Sequence, residues 1–136
     1  MEKMTREKAA HFAGLAIEAL EDHKAEDIRV IDISGVSVLA DYFVIANGTN
    51  PSQIQALADA VDEKLGRAGL PLKQMEGYDT ANWILLDFGD VIVHIFDSKN
   101  RLLYDLERIW RDGKQINPEE LKEEAEKTDG KSAPPA

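Results

Sequence analysis

The sequence contains no cysteine among its 136 residues. Disulfide bridges, thiolate zinc sites and cysteine nucleophiles are therefore excluded. Long hydrophobic runs are also missing, because runs such as residues 83–86 and 91–93 fall far short of the roughly 20 residues that span a bilayer. The N-terminal segment has neither the hydrophobic region of a signal peptide nor the composition of a transit peptide. We therefore expect a cytoplasmic protein with no membrane association.

Lysine and arginine are scarce beside aspartate and glutamate, with 16 basic and 26 acidic residues and a formal net charge of -10. Residues 26–110 alone hold 14 of the acidic and seven of the basic residues, so the central part of the chain is itself acidic. A protein that grips nucleic acid by its phosphates needs the opposite charge. Little direct nucleic-acid binding is therefore expected.

Apolar residues recur at helical spacing in two segments. Residues 5–23 carry one such face, and Thr5 is placed to cap its first turn. The second segment begins with N-P-S-Q at 50–53, which combines an N-cap, a proline at the first helical position and the glutamine of a capping box. These patterns predict helices over residues 5–23 and 51–68.

Short apolar runs bounded by turn residues indicate a β-sheet. Two of these runs are separated only by Gly89-Asp90, which predicts an antiparallel hairpin. With the two helices, the runs predict a single-domain α/β fold with a mixed sheet flanked by helices. Strands are predicted at 27–33, 42–46, 81–88 and 91–97, with a further edge strand at 70–75.

The C-terminal part of the chain shows weaker patterns. A short third helix is predicted from Asn100 to about Trp110, because its larger apolar residues share one face. The charged segment that follows has almost no apolar face and ends in TDGKSAPPA. We therefore predict a domain over residues 1–112 and an acidic, largely disordered tail over 113–136.

The three histidines lie in three different predicted elements, and no pair has the spacing of a helical zinc site. His94 lies in the middle of a strand, and we interpret it as a structural imidazole that is hydrogen-bonded within the sheet. Neither of the glycine-rich phosphate-binding motifs occurs. We predict no metal and no cofactor.

D-F-G at 87–89 repeats the metal-binding triplet of protein kinases, but the glycine-rich loop, strand lysine and catalytic-loop aspartate of kinases are missing. The triplet is interpreted as a strand end that enters a turn. An enzymatic alternative, a degenerate nucleotidyltransferase or hydrolase, would use Asp41, Asp87, Asp90 and His94. Nucleotidyl transfer requires carboxylates at Asp-x-Asp or Asp-x-Glu spacing on one strand face, whereas D-F-G-D has the wrong spacing. We therefore expect no enzymatic activity.

Trp83 lies at the start of a predicted strand, near Glu76, Asp79 and Asp87 in the sequence. Large aromatic residues are enriched at binding hot spots, and an acidic rim steers a basic partner. Periodicity alone favours the alternative, a tryptophan in the core. The residues themselves leave both interpretations open.

Several motifs between residues 27 and 112 occur together in one known family. The most specific are D-F-G-D-V-I-V-H at 87–94 and R-x-x-Y-x-L-E-x-x-W at 101–110. Shorter matches include S-G at 34–35, A-D-Y-F-V-I at 40–45 and N-G-T at 47–49. With these motifs, the central two thirds of the chain resembles the ribosomal silencing factor family, also called iojap-like.

The resemblance implies that the protein binds the large ribosomal subunit through its fourteenth protein, a basic protein on the intersubunit face. A family member bound there keeps the small subunit from joining and damps translation when nutrients are short. The implied fold is a nucleotidyltransferase-like topology without catalytic carboxylates. The partner surface of the family includes the tryptophan-bearing strand, which corresponds to Trp83 and its neighbours up to Phe88.

We therefore predict a binding module with apolar anchors and acidic residues that meet lysine or arginine side chains. The same apolar surface could self-associate when no ribosome is bound, so a homodimer is a further hypothesis. The predicted partner-binding residues are Trp83, Leu85, Asp87, Phe88, Glu76 and Asp79.

Overall fold

The computed structural model of the protein describes residues 5–35, 40–98 and 113–122. These ranges hold two long helices, six strands and a helical turn at 118–122. The predicted helices over 5–23 and 51–68 are confirmed to within one residue at each end. In chain order, the elements are α1 (Arg6–Asp22), β1 (Glu26–Asp32), β2 (Tyr42–Gly48), α2 (Pro51–Arg67), β3 (Gln74–Glu76), β4 (Trp83–Asp87), β5 (Val91–Asp97) and β6 (Lys114–Ile116).

Side-chain caps start both helices where the sequence predicts them. The Thr5 hydroxyl accepts a hydrogen bond from the Lys8 backbone N–H at 3.2 Å. The Asn50 side-chain oxygen accepts one from the Gln53 N–H at 2.9 Å, and Pro51 occupies the first helical turn. Each cap satisfies a donor that the helix itself leaves without an acceptor.

Gln53 makes more contacts than the predicted capping box requires. Its side-chain oxygen accepts from the backbone N–H of Thr49 at 2.7 Å, one residue before the cap, and from the Thr49 hydroxyl at 2.9 Å. Its amide donates to the backbone oxygen of Lys24 at 3.1 Å. Gln53 therefore links the start of α2 to the turn that follows α1.

The six strands form one mixed sheet in the order β3-β4-β5-β2-β1-β6. The central pair, β2 and β5, is parallel, and all other neighbours are antiparallel. The predicted hairpin is confirmed as β4 and β5. An extra edge strand also exists, but β3 begins at Gln74 and overlaps the predicted range of 70–75 by only two residues. The single-domain α/β architecture with a mixed sheet is therefore confirmed.

Both long helices pack on one face of the sheet, which we call the helix-covered face. The core there combines apolar residues of α1 and α2 with alternate residues of the central strands, such as Val44 on β2 and Val93 on β5. A smaller buried cluster lies on the opposite face, called here the second face, and includes Ile45 and Phe96. The central strands are therefore buried on both sides, as expected for strands at the centre of a layered fold.

The end of the predicted domain at residue 112 requires correction. β6 pairs with β1 through Ile116, Gln115 and Lys114, and so extends the sheet by one strand. Leu121, in the helical turn that follows, is 5% exposed and belongs to the core of the helix-covered face. The predicted tail therefore begins no earlier than residue 123. Residues 123–136 and the third predicted helix, at 100–110, lie outside the described residues.

The sequence pattern missed β6 because its three residues are held mainly by backbone hydrogen bonds, which leave almost no hydrophobic period. A single buried leucine in a charged stretch is an equally weak indication that the stretch belongs to the folded domain.

Within the described ranges, no helix combines the length and apolar character needed to cross a membrane.

Leu121→Ala tests whether the segment 113–122 belongs to the folded domain. Removing a buried leucine side chain should lower the free energy of unfolding by about 2–4 kcal/mol. The neighbouring, exposed Glu120→Ala serves as the control and should change it by less than about 0.5 kcal/mol. Urea unfolding measures both values, and equal effects of the two substitutions would show that Leu121 adds nothing to the core.

Candidate partner-binding site

Trp83, Leu85 and Asp87 lie on the second face, because side chains alternate along β4. The intervening residues, Ile84 and Leu86, are fully buried in the core of the helix-covered face. The three side chains on the second face are each half-buried. The period of two along the strand therefore places them on one face.

Strand pairing brings Glu76 to the same surface. Glu76 on β3 lies directly opposite Leu85 on β4, and Gln74 lies opposite Asp87. Residues directly opposite each other in a sheet project to the same side. Glu76 is exposed, and one of its carboxylate oxygens accepts a hydrogen bond from the Gln74 amide at 3.0 Å. Four of the six predicted residues, Trp83, Leu85, Asp87 and Glu76, thus form one continuous patch, called here the β4 patch.

Phe88 does not belong to the β4 patch, which corrects its assignment to the partner surface. Its side chain is 1% exposed and packs in the core of the helix-covered face. The chain leaves β4 after Asp87, and the Phe88 N–H donates to the Val91 oxygen at 3.0 Å across the turn. Phe88 is therefore a core residue at the hairpin turn, and a partner cannot contact it while the core is intact.

Asp79 is exposed in the loop between β3 and β4, and the structure shows no contact between it and the patch among the described residues. α2 holds this loop through Tyr78: the Tyr78 hydroxyl donates to an Asp59 oxygen at 3.0 Å, and the Gln55 amide donates to the Tyr78 backbone oxygen at 2.9 Å. The hydrogen bond to Asp59 is the main cause that raises the pKa of Tyr78. Sequence reasoning did not connect Gln55 or Asp59 with this loop, because both lie on another element, α2.

Gly77 lets the loop approach β4 more closely than any other residue type could. Its φ is +81°, and a Cβ at this position would lie 2.0 Å from the backbone oxygen of Trp83. Such a separation is far inside van der Waals contact, and the oxygen belongs to the backbone of a paired strand. Gly77 therefore determines how the loop fits against the strand residue that carries the indole.

The Trp83 side chain is held within an aromatic cluster on the second face. Its indole N–H donates to Nδ1 of His94 at 3.0 Å, and its ring stacks on Phe96 with a centroid distance of 5.3 Å and an interplanar angle of 24°. The His94 ring meets Phe43 edge-on at 4.7 Å. Such aromatic contacts stabilise beyond the area that they bury. The indole is thus fixed both by stacking and by a directed hydrogen bond.

His94 is the structural, hydrogen-bonded imidazole that the sequence predicted, and its partner is the indole of Trp83. The side chain is 4% exposed, and burial lowers its pKa from 6.5 to about 4. His94 is therefore neutral near pH 7, and a neutral ring is able to accept the indole hydrogen bond.

The aspartates of the enzymatic alternative lie at the β4–β5 turn and immediately before β2. An Asp87 side-chain oxygen accepts from the Gly89 N–H at 2.8 Å, so D-F-G is a hairpin turn, as the sequence indicated. The Asp90 backbone oxygen accepts from the N–H groups of Asp41 at 2.8 Å and Tyr42 at 3.1 Å, which ties this turn to the start of β2. Among the described residues, no three histidine, aspartate or glutamate side chains are grouped to hold a metal ion.

The comparisons with known proteins agree with the motifs of the sequence. A family model described as "Ribosomal silencing factor during starvation" matches residues 6–136. The chain belongs to the ribosomal silencing factor family. The match extends through residues 113–122, the segment that forms β6 and the helical turn.

Individual relatives are similar over most of their length. The ribosomal silencing factor RsfS of Bacillus subtilis is 43% identical over 98 residues, which cover 72% of this chain and 83% of the relative. The protein of that name from Halalkalibacterium halodurans is 38% identical over 105 residues, covering 77% and 90%. A crystal structure of a Chromobacterium violaceum protein has a TM-score of 0.71 and 40% identity, covering 73% of this chain and 82% of that one. The predicted family is therefore confirmed.

Gly77→Ala tests the close approach of the loop to β4. A left-handed conformation costs a residue with a Cβ roughly 1–2 kcal/mol, and the contact with the Trp83 oxygen adds to this cost. We expect the free energy of unfolding to fall by at least about 2 kcal/mol in urea titrations.

Gly66→Ala is the matched control, because a Cβ at this position in α2 would have no atom within 4 Å. Alanine is a better helix former than glycine, so this variant should be unchanged or more stable by up to about 1 kcal/mol. Equal effects of the two substitutions would contradict the role of Gly77.

The buried His94 predicts a loss of stability in acid. In the unfolded chain, histidine takes up a proton near pH 6.5, whereas the folded protein resists protonation down to about pH 4. The stabilisation by the neutral ring is therefore complete above pH 6.5 and is lost as the pH falls toward 4. When the pH is lowered from 7 to 5, protonation of His94 in the unfolded chain should therefore lower the free energy of unfolding by about 2 kcal/mol.

Urea unfolding of His94→Asn at both pH values checks this, because the variant should lack this part of the pH dependence. His23→Asn replaces an exposed histidine and should keep the wild-type dependence. The same pH dependence in His94→Asn as in wild type would contradict the assignment.

Proposed function

We propose that the protein binds the large ribosomal subunit through its fourteenth protein, a basic protein on the intersubunit face, and sterically prevents the small subunit from joining. Its role would be to repress translation in the cytoplasm during nutrient limitation, without catalysing a reaction. One observation carries the proposed contact surface: a half-buried tryptophan on the second face of the sheet, beside an exposed glutamate on the short edge strand. Membership of the ribosomal silencing factor family supports the biological role.

The charges around the β4 patch favour a basic protein partner. In the part of the chain that the structure describes, Glu76, Asp79 and Asp87 form no ion pair. On the helices, by contrast, Glu63 pairs with Arg67 at 2.8 Å and Glu18 with Lys64 at 3.2 Å. The carboxylates near Trp83 therefore remain available to lysine and arginine side chains, and complementary charge increases the rate and specificity of association.

The same charge disfavours direct contact with ribosomal RNA. The net charge of -10 repels phosphates, so electrostatic attraction orients the domain toward a basic protein surface and away from the surrounding RNA. The exposed acidic residues would set this orientation. The apolar anchors, Trp83 and Leu85, would supply most of the affinity once the two surfaces meet.

The shape of the patch suits an anchor. Trp83 offers a large ring on a regular strand, not on a loop, and it is already packed on Phe96 before any partner is bound. A side chain that is ordered in the unbound protein loses little entropy on binding. The proposed mechanism then requires only that a 15.1 kDa domain stay on the intersubunit face, where its volume excludes the small subunit.

Trp83→Ala tests the proposed contact. Truncation of a central aromatic anchor typically costs about 2 kcal/mol or more, which corresponds to a roughly 30-fold weaker affinity. We expect the variant to fold, by circular dichroism, and to be lost from the large-subunit fraction in co-sedimentation. In a light-scattering assay of subunit joining, wild-type protein bound to large subunits should reduce joining, and Trp83→Ala should restore it.

Phe12→Ala is the matched control, because it also removes a half-buried aromatic ring, but from α1 on the helix-covered face. It should co-sediment like wild type. Undiminished co-sedimentation of Trp83→Ala would refute the β4 patch as the contact surface. Co-sedimentation of wild type without any effect on joining would refute the steric block alone.

A further inference from the structure

We infer that His94 is a positioning residue that fixes the Trp83 indole in the orientation required for partner binding. The inference rests on the proposed function, because it gives His94 a role in presenting the proposed anchor. It goes beyond that function by assigning a role in binding to a buried residue that does not itself meet the partner.

The geometry of the pair carries the inference. His94 lies on β5 and Trp83 on β4, where Trp83 is opposite Phe96 and His94 is opposite Leu85. The two side chains are therefore diagonal neighbours on the second face, and the indole N–H reaches Nδ1 at 3.0 Å. This is the distance of a well-formed hydrogen bond. The bond links the half-buried anchor to a side chain that is almost completely buried.

The donor and acceptor roles in this bond are unambiguous. An indole N–H can only donate, so Nδ1 of His94 must accept and the ring proton must lie on Nε2. Nε2 is buried and has no hydrogen-bond partner among the described residues. The bond to Trp83 is thus the hydrogen bond that the structure shows for this buried ring. If position 94 only had to fill space, an apolar side chain would do so without leaving Nε2 unsatisfied. What histidine adds at this position is a hydrogen-bond acceptor for the Trp83 indole.

The acceptor is held in place from two sides. The Phe43 ring meets the imidazole edge-on at 4.7 Å, and the Phe96 ring lies nearly parallel to it at 6.1 Å with an interplanar angle of 6°. Phe96 also stacks on the indole at 5.3 Å. One buried phenylalanine therefore contacts both members of the hydrogen-bonded pair, and its packing determines the relative positions of donor and acceptor.

This arrangement matters for binding because a tryptophan side chain has several rotamers of similar energy when it is not constrained. Stacking on Phe96 restricts the ring to a plane, but a ring can slide or flip within a stack. The directed hydrogen bond to Nδ1 selects one orientation. A preorganised anchor loses less entropy on association, so the affinity should depend on the acceptor even though His94 is 4% exposed.

Two substitutions of the same shape separate the acceptor from the packing. Asparagine and leucine both branch at Cγ and leave the same space where the ring was, but only asparagine places an oxygen near the position of Nδ1. We expect His94→Leu to bind large subunits about fivefold more weakly, the equivalent of one net hydrogen bond. His94→Asn should bind within about twofold of wild type, which is rescue by a retained acceptor.

The indole resonance of Trp83 provides a spectroscopic signature that is independent of binding. The chain has two tryptophans, so Trp83→Phe identifies the Trp83 signal in a ¹⁵N-labelled sample. The Trp83 indole proton should move upfield and broaden in His94→Leu and should stay close to its wild-type shift in His94→Asn. In unmodified protein, scalar coupling between the indole nitrogen and His94 Nδ1 would detect the bond directly, and this measurement does not depend on whether either variant folds.

The outcomes distinguish this inference from the proposed function. Loss of binding in Trp83→Ala with equal losses in His94→Leu and His94→Asn would leave the proposed interface in place and overturn the role of the acceptor. Absence of the scalar coupling would also overturn it. Undiminished binding of Trp83→Ala would overturn the proposed contact surface and the role of His94 together, because there would be no anchor to position. A selective loss in His94→Leu, with the expected resonance shift, supports the inference.

Discussion

The parallel pairing of β2 with β5 is the constraint on which the rest of the structure depends. It runs without a break from Tyr42 opposite Val91 to Gly48 opposite Asp97 and joins the two halves of the sheet. A shift of one residue would move every side chain of β5 to the other face. Val93 would then leave the helix-covered core, and His94 would enter it and lose the hydrogen bond from the Trp83 indole on the second face.

This register gives the two faces of the sheet different roles. The helix-covered face contains most of the buried apolar area, which is the main source of stability in a small domain. The second face combines a smaller apolar cluster with half-buried and charged groups along β4. Because the helices stabilise the sheet from one side, the second face of β4 is left open to carry the residues that are proposed to contact a partner. Gly77 and the contacts of α2 with Tyr78 hold the adjoining loop in a compatible position.

Local pattern was sufficient wherever one element determined the result. The caps at Thr5 and Asn50 lie where the sequence predicts them, since capping depends on a few adjacent residues. The shared face of Trp83 and Leu85 likewise depends only on the alternation of side chains along β4. Phe88 was misassigned because the resemblance was carried over to every residue up to 88, although the period of two places Phe88 with Ile84 and Leu86 on the helix-covered face. β6 was missed because its pairing with β1 depends on distant backbone groups that leave no mark on its composition.

By itself, the sequence determined the two long helices, the hairpin, the acidic charge and the family, because these depend on local spacing, on composition or on strings of adjacent residues. Only the tertiary structure decided that Glu76 joins Trp83 on one surface, that His94 accepts the indole hydrogen bond, and that Gly77 lies against β4. Each of these contacts joins residues from different elements. Strand register and the packing of the core bring them together, and neither can be read from the residues on one element alone.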